Sequence, residues 1–551
     1  MSTQAVTESG GVTGTPPSSA RWLTLGIVTI ATFMLMLDIT VVNVALPDLR
    51  TSLDASFSDL QWVLDSYALT LAVFLLTGGS LADRIGRKRV FNVGFLIFSA
   101  ASLACGLAWD MLSLNLSRGV QGLGAAVLFA VGPALIGQEF HGKERGAAFG
   151  IFGAGAGLAI ALGPLIGGGL TDGIGWRWIF LVNVPIGTVA LALGVLRMRE
   201  SRHPRDGGID WAGLVTFSAA LALLVLALLR GEAEGWTSGL IVGMFAGAAV
   251  MLLLFFLVER ARGEDAMFDL SLFRIATFNG ISAVALLASA SVMSAIFLLV
   301  SYVQNVLGYS PLATGLRFLP LTLLLFVMAA IAGSLTAKVP QRLLVGLSGT
   351  FIAAGLGLVG PLVEVGSSWT ALLPVMVLLG IGMGLFNPPR AFLSIGVVEP
   401  AKAGMASGVN ETFQQVGVAL GIAAFGALFQ NRVTHEFVES QVGRQLGPAA
   451  QRVGEAVAAG GGSEAASAAP AGIAAQVANA AESAFVNGLG DVLTAGSVVA
   501  AIAAVIGFVL IRSKDLHPSA LGAVPGVLPE ETDPVAAMND LPTTSGSLSA
   551  R

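Results

Sequence analysis

Among the ionisable residues inside long apolar stretches, where a charged side chain is costly, four indicate chemistry. They are Asp38, Asp65, Arg118 and Glu411. Charged residues in such stretches are rare and mark proton relays or ion pathways. A carboxylate can gain or lose a proton as an arginine leaves or approaches it. The pattern predicts reversible protonation. The alternatives are a structural hydrogen bond to a helix end for Asp38, a helix end reached by water for Asp65, and a satisfied structural arginine for Arg118.

The composition indicates the environment that holds these residues. Of 551 residues, 55% are hydrophobic and 11% are charged, and the mean hydropathy is +0.81. Soluble chains carry about 25% charged residues. A net charge of -5 gives no basic field for nucleic acid, and a single cysteine excludes a disulfide framework and a thiolate metal site. These values predict a polytopic membrane protein with no metal site and no enzymatic activity.

Fourteen stretches are long and apolar enough to cross a bilayer as helices, which takes about 20 residues each. Their continuous apolar character excludes a closed barrel. The predicted spans are residues 22–46, 58–80, 90–109, 111–137, 146–170, 177–196, 211–230, 238–258, 278–306, 315–337, 343–364, 369–389, 403–429 and 485–511. The predicted fold is therefore all-α.

The distribution of Lys and Arg predicts the topology, because cytoplasmic loops carry an excess of both. With the N-terminus inside, 21 of the 29 lie in inner segments, including Arg145 and Arg390, 6 in outer segments and 2 within spans. Both termini are predicted to be cytoplasmic, with residues 1–21 and 513–551 as disordered tails. Residues 430–484 are expected to form an outer loop, part of it either a frayed surface helix or disordered.

A short internal repeat indicates two related halves. Residues 79–90 read GSLADRIGRKRV and residues 333–344 read GSLTAKVPQRLL. A six-span repeat unit pairs spans 1–6 with spans 9–14 and leaves spans 7 and 8 as an insert. The domains are then a first bundle at 22–196, a linker with two inserted helices at 197–276, and a second bundle at 277–512. Chance similarity between two short inner loops is the alternative.

The loop between spans 2 and 3 suits a conformational latch. Its candidate residues are Gly79, Asp83, Arg84, Gly86, Arg87 and Lys88. The glycines permit a tight turn, and Asp83 can accept hydrogen bonds from a neighbouring helix N-terminus or from an arginine. Membrane anchoring by positive charge explains the basic residues but leaves Asp83 and the glycine spacing unexplained.

Glycine spacing in the fifth span predicts close helix packing. Gly157, Gly163, Gly167 and Gly168 leave a flat side where another backbone can approach, and Pro164 bends the helix. A bend at a packed seam suits a part that moves between two states. Ordinary small-residue packing is the alternative.

Three of these ionisable residues are predicted to lie at the same depth in the membrane. Asp38, Asp65 and Arg118 each lie roughly 10–12 Å below the outer edge of their spans, at 1.5 Å per residue. A shared depth permits contact if the helices are neighbours. Trp62 and Tyr67, near Asp65, are predicted either to line an aromatic vestibule for a cation or to belong to the interfacial belt.

These motifs resemble the major facilitator superfamily. Residues 79–89 are similar to its signature loop, and 157–168 to the antiporter signature of proton-driven exporters. Residues 37–47 and 176–187 resemble the fourteen-span drug:proton antiporters of the EmrB/QacA type, and 118–124 a span-4 signature tied to proton transfer. The resemblance implies two six-helix bundles, two inserted helices and proton-coupled export through a plasma or inner membrane.

The resemblance implies drug efflux, and hence antibiotic resistance, by export of lipophilic, often cationic compounds in exchange for protons. Asp38 and Asp65 would include the proton acceptor and the cation-binding carboxylate, and Arg118 would tune an aspartate. Glu411 is a substrate or proton site, or a carboxylate facing inner water. No P-loop pattern is present, so the expected power source is the proton gradient, without ATP or another cofactor. A dedicated exporter of one self-made metabolite or lipid and a proton-coupled nutrient importer are the alternatives.

Overall fold

The computed structural model describes residues 18–521 apart from positions 56, 202–209, 264–265, 337 and 471. Thirteen of the described helices are long and apolar enough to cross a membrane. The helices Glu144–Ile160 and Leu165–Thr171, which meet at an angle of 44°, bring the number to fourteen when this bent pair is counted as one span. The predicted all-α fold with fourteen spans is confirmed. The predictions for residues 1–17 and 522–551 lie outside the described residues.

The spans are numbered in chain order by their helices. They are span 1, Ser18–Ser52; span 2, Phe57–Ile85; span 3, Arg87–Gly106; span 4, Met111–Glu139; span 5, Gly142–Ile174; span 6, Trp178–Leu181 with Asn183–Arg197; span 7, Trp211–Glu234; span 8, Gly239–Arg262; span 9, Ala276–Ser301 with the π-helical turn Tyr302–Val306; span 10, Leu319–Thr336; span 11, Gln341–Gly357 with Val359–Leu362; span 12, Leu373–Gly396; span 13, Ala403–Glu439; and span 14, Ala474–Leu510.

Arg145 and Arg390 are among the arginines that the charge count assigns to inner segments but that lie in spanning helices. Span 12 continues past the predicted end at residue 389 to Gly396, so Arg390 lies inside it. Arg145 lies in the first turn of span 5. Both residues are buried, at 3% and 4% exposure. Their assignment to inner loops is therefore wrong, because a count of positive charges does not distinguish a solvated arginine from one buried between helices.

Residues 430–484 are largely helical where the structure describes them. Span 13 runs to Glu439, and three short helices, Gln441–Leu446, Ala449–Ala458 and Gly462–Ala468, lead to span 14. Val457 is buried. Of the two predicted alternatives, a helix or disorder, the structure has a helix at Ala449–Ala458. The predicted tail is also ordered where it begins, because the carboxylate of Asp515 accepts a hydrogen bond from the Thr277 hydroxyl at 2.8 Å.

The spans form two bundles, and two helix pairs make the most extensive contacts between them. In the first bundle span 1 packs on span 5, and span 4 packs on spans 2 and 3. In the second, span 9 packs on span 13, and span 12 packs on spans 10 and 11. The bundles meet where span 2 packs on span 13 and where span 5 packs on span 10. These two pairs are equivalent under the six-span repeat, because it relates span 2 to span 10 and span 5 to span 13.

The inserted pair lies beside this seam. Spans 7 and 8 pack on each other, and span 7 also packs on spans 2 and 13. Asp210 caps span 7 by accepting a hydrogen bond from the Gly213 amide at 2.8 Å. Its carboxylate also lies 3.2 Å from Arg262 Nε at the end of span 8. The insert is therefore fastened next to the helix pair that joins the bundles.

Candidate proton-coupling site and bundle interface

Asp38 and Arg118 form a buried ion pair inside the first bundle. Arg118 Nη1 lies 2.5 Å from Asp38 Oδ2, and both side chains are at most 1% exposed. Arg118 Nε donates to the Val63 carbonyl at 3.0 Å. An ion pair removed from water is electrostatically strong and sensitive to the protonation of either partner. Asp38 and Arg118, which were predicted to lie at the same depth, are thus in direct contact.

Neutral polar side chains surround the carboxylate of Asp38. Gln121 Nε2 donates to Asp38 Oδ1 at 2.9 Å, and Asn183 Nδ2 donates to the same oxygen at 3.4 Å. Both amides also donate to the Ser102 hydroxyl, each at 3.1 Å. Both carboxylate oxygens are therefore occupied by donors of the chain itself. Sequence reasoning did not assign Ser102 and Asn183 to the site, because a neutral polar residue in a span gives no separate signal.

Tyr67 and Trp62 each lie against an arginine of the chain. The ring of Tyr67 lies 4.3 Å from the Arg118 guanidinium, and its hydroxyl is buried without a hydrogen-bond partner among the described residues. The ring of Trp62 lies 4.5 Å from the Arg230 guanidinium on span 7. Each ring therefore faces a cation of the protein itself, and the choice between an aromatic vestibule and the interfacial belt stays a prediction.

Asp65 lies outside the Asp38–Arg118 cluster. It precedes Tyr67 by two residues, a rotation of roughly 200° about a helix with 3.6 residues per turn. Because Tyr67 faces Arg118, Asp65 points elsewhere, and Arg230 of span 7 is the charged group that acts on it. Equal depth permits a contact of Asp65 with Asp38 and Arg118, but it does not fix the rotation of the helix, and Asp65 makes no such contact among the described residues.

A second buried ion pair lies in the other bundle. Arg390 Nη2 donates to Glu411 Oε1 at 2.8 Å, and Arg390 Nη1 donates to Asn410 Oδ1 at 2.6 Å. Glu411 is 2% exposed, so the alternative in which it faces inner water is wrong. Its second oxygen has no hydrogen-bond partner within the described part of the chain. Arg390 was not among the predicted site residues, although this pair joins spans 12 and 13.

Replacing Arg390 by methionine should destabilise the fold, because it leaves the Glu411 carboxylate buried and unpaired. Removing one partner of a buried pair costs about 3–5 kcal/mol. Thermal unfolding of the purified protein in detergent measures the loss. The double variant R390M/E411M removes both charges and should recover most of it. A double variant as unstable as R390M alone would contradict this account of the pair.

Asp83 connects the two bundles at one end of the molecule. Its carboxylate accepts hydrogen bonds from Arg87 Nε at 3.0 Å and from the backbone amides of Gly404 and Met405 at 3.1 and 2.8 Å. Arg87 also donates to the Pro400 carbonyl. A carboxylate of span 2 thus holds the N-terminus of span 13, where the helix dipole favours negative charge. This end, which carries residues 84–89, is called the basic end below.

Glycine backbones form the closest contacts between the bundles at the basic end. A Cβ on Gly79 would overlap the Gly404 carbonyl, and a Cβ on Gly333 would overlap the backbone of Gly150. Gly79 and Gly333 hold the same place in the repeat, so the glycine contacts are also equivalent. Backbones this close leave no room for a side chain, and the basic end is closed here.

Other residues of the loop between spans 2 and 3 fix its geometry. Gly86 has a φ of 125°, which favours glycine. The Glu200 carboxylate accepts a hydrogen bond from the Lys88 amide at 3.1 Å and so caps span 3. Arg84 Nη2 donates to the Ala266 carbonyl at 3.3 Å. The loop is therefore held by the chain segments that flank the inserted pair.

The segment that follows the insert also reaches the second bundle. Asp269 Oδ2 lies 2.5 Å from Lys402 Nζ, just before span 13. Partial burial opposes ionisation of Asp269, but hydrogen bonds from Lys402 and Ser271 outweigh it and lower its pKa. The carboxylate therefore stays charged and keeps the segment attached to the base of span 13.

The span-5 glycines face different neighbours. A Cβ on Gly157 would overlap Leu325 of span 10 in the other bundle, whereas Gly163 and Gly167 face span 1. Among the described residues, no atom of another segment lies within 4 Å of the Cβ position of Gly168. In the described part of the chain the predicted packed side is therefore not formed at Gly168. Of the four, only Gly157 contributes to the seam between the bundles. Gly163 and Gly167 pack against span 1 within the first bundle.

The fold and site define a polytopic helical protein of two bundles, with a charge pair buried in each and a glycine seam between them. No group of three His, Cys, Asp or Glu side chains within the described ranges is arranged to hold a metal ion. The model of the Major Facilitator Superfamily matches residues 28–422, and the chain belongs to this family of membrane transporters.

Three related proteins are named for antibiotics. The probable actinorhodin transporter of Streptomyces coelicolor is 36% identical over 433 residues, 76% of this chain and 74% of that protein. The tetracenomycin C resistance and export protein of Streptomyces glaucescens is 32% identical, over 92% of this chain and 95% of that protein. The puromycin resistance protein pur8 of Streptomyces alboniger is 37% identical, over 74% and 81%. These relatives agree with the resemblance to drug:proton antiporters.

Solved structures show the same fold at low sequence identity. The proton:xylose symporter XylE aligns with a TM-score of 0.60 at 13% identity, covering 92% of this chain and 99% of that one. The human organic anion transporter MFSD10 aligns with a TM-score of 0.59, also at 13% identity, covering 88% and 99%.

Proposed function

We propose that this protein exports lipophilic, often cationic compounds across the plasma membrane in exchange for protons, by alternating access. The buried Asp38–Arg118 pair is the observation that carries the proposal. A charge pair 2.5 Å apart with both members withdrawn from water is suited to proton transfer. The sequence similarity to antibiotic exporters supports the direction and the substrate class.

The proposed proton step is a competition between a proton and Arg118 for one carboxylate. In the structure Asp38 is engaged by Arg118 and Gln121, so the competing cation at this residue is the protein's own guanidinium. Protonation of Asp38 would weaken its bond to Arg118 and leave the guanidinium to the Val63 carbonyl and the Tyr67 ring. This rearrangement would change the packing of spans 1, 2 and 4 together.

The proposed orientation places the basic end and both termini in the cytoplasm, following the excess of Lys and Arg there. The closed basic end would then be the state that is shut toward the cytoplasm. Substrate would bind between the bundles, and opening of the seams between spans 2 and 13 and between spans 5 and 10 would admit it from inside. The proton gradient would supply the energy, without ATP.

Efflux of ethidium from cells that express the chain tests the proposed energy source. Efflux should be faster than in cells without it and should stop when a protonophore collapses the gradient. Depletion of ATP with the gradient maintained should leave the rate unchanged. Efflux that continues after the gradient collapses would refute proton coupling, with the amount of protein in the membrane as the control.

A dedicated exporter of a single compound is the second candidate, favoured by the relatives named for single antibiotics. A panel of chemically different cations and neutral polycyclic compounds separates the two functions. A broad exporter lowers the accumulation of several, whereas a dedicated exporter lowers that of one.

A further inference from the structure

A small cavity lies at the basic end, between the two bundles and apart from the Asp38 cluster. Its volume is about 210 Å³, several times the roughly 30 Å³ that one water occupies in the liquid. The first bundle lines it with Arg87, Gln138, His141 and Arg145, and the second with residues such as Ile395 and Pro400. Charge in this cavity is therefore of one sign.

Arg145 is the unusual member of this cavity. It is 4% exposed, yet among the described residues it has no carboxylate partner and donates no hydrogen bond, and its Nε is fully buried and unpaired. One side of its guanidinium lies 5.2 Å from the Phe392 ring of the second bundle. A buried unpaired charge costs several kcal/mol, so such a group implies a counter-ion.

Other polar groups of the cavity have spare hydrogen-bonding capacity. Arg87 uses Nε and Nη2 for Asp83 and the Pro400 carbonyl, and its Nη1 makes no bond to the described residues. The side-chain amide of Gln138, which also lines the cavity, carries two N–H donors. Donors that come from several directions suit a tetrahedral oxyanion with several acceptor atoms, and guanidinium groups match phosphate geometry.

We propose that this cavity binds a phosphate-type oxyanion, either free phosphate or the phosphodiester of a lipid head group, with Arg145 as its main ligand. The walls come from both bundles, so the complete site exists only when the basic end is closed. The anion would therefore favour the closed end through its preferential binding to that state. This proposal does not depend on the transported substrate or on proton coupling.

Thermal unfolding of the purified full-length protein in neutral detergent tests the site. Sodium phosphate should raise the unfolding temperature above that in sodium chloride of equal ionic strength, and sodium acetate should not. In Arg145→Met the apparent Kd for phosphate should rise about tenfold or more, as expected for loss of a charge-assisted hydrogen bond. Arg342→Met removes an exposed arginine at the same end and should leave the Kd within about twofold.

A second comparison separates binding from folding. In chloride alone Arg145→Met should be at least as stable as the wild type, since it removes an uncompensated charge. Gln138→Glu supplies a carboxylate inside the cavity and should raise stability in chloride while abolishing the effect of phosphate. Equal protection of Arg145→Met and wild type by phosphate would overturn the proposal, as would a marked loss of stability of Arg145→Met in chloride.

Two arms identify the source of the anion. Inorganic phosphate is compared with phosphatidylglycerol added to phosphatidylcholine, each with wild type and Arg145→Met. Protection by inorganic phosphate that needs Arg145 assigns a soluble anion, whereas protection only by phosphatidylglycerol that needs Arg145 assigns a lipid head group. Protection by neither, or by acetate equally well, would refute the phosphate assignment.

Discussion

Replacing Asp38 by asparagine should reduce proton-driven efflux to the background of cells without the protein. Asparagine keeps the size of the side chain. It cannot carry the charge that holds Arg118, and it cannot accept and release a proton at physiological pH. Its amide group would also meet the donor of Gln121, which now lies 2.9 Å from Asp38 Oδ1. Efflux of ethidium, normalised to protein in the membrane, measures the effect.

Exchange of labelled for unlabelled substrate distinguishes lost coupling from lost folding in D38N. Substrate exchange needs a folded protein that reaches both the inward-open and the outward-open conformation, but it needs no net movement of protons. D38N should therefore retain it. Asp48→Asn makes the same change at an exposed position of span 1 and should keep efflux near wild type. Normal proton-driven efflux by D38N would disprove the assigned role of Asp38, and lost exchange would show that the change is structural.

Replacing Gly79 by alanine should open the basic end. The added Cβ overlaps the Gly404 carbonyl, which belongs to helix backbone and cannot move alone. Overpacking costs about 1–3 kcal/mol, so the ratio of closed to open molecules should fall roughly 5- to 150-fold and transport should fall with it. Each bundle keeps its own core, so the protein should still fold.

Labelling of a cysteine at Ser407 reports on the conformation of G79A. Ser407 is buried beside the seam, and the native Cys105 is buried in the first bundle. A water-soluble thiol reagent should label S407C faster in G79A than in the wild-type background. Gly26→Ala is the matched control, because it has the same gain in helix propensity and no atom lies within 4 Å of its Cβ position. Equal labelling in all backgrounds would contradict a closed glycine seam.

The number and type of the helices were predictable from the sequence because a spanning helix must be apolar along its length. The depth of Asp38 and Arg118 was predictable for the same reason. The rotation of each helix was not, and this is why Asp65 was grouped with a cluster from which it points away. Rotation depends on side-chain packing between helices, which the apolar pattern of a fully buried span does not encode.

Buried arginines were the other limit of sequence reasoning. Arg145 and Arg390 lie near span ends, where a positive charge is typical of a cytoplasmic loop. Their burial results from contacts across helices, with Phe392 for Arg145 and with Glu411 for Arg390. Glu411 was the sequence signal that could have identified Arg390. A carboxylate inside a span needs a nearby cation, and Arg390 supplies it.

Among the described residues, the hydrogen-bond donors to the Asp38 carboxylate come from spans 4 and 6. The second bundle contributes none of them among the described residues. Under the proposed function, mutations in residues 277–512 would alter the second bundle's side of the substrate path without changing the carboxylate that is proposed to bind the proton. In evolutionary terms such an exporter would be modular. A lineage could acquire resistance to a new compound by divergence or recombination in its second half, while inheriting unchanged the half that is proposed to couple transport to protons.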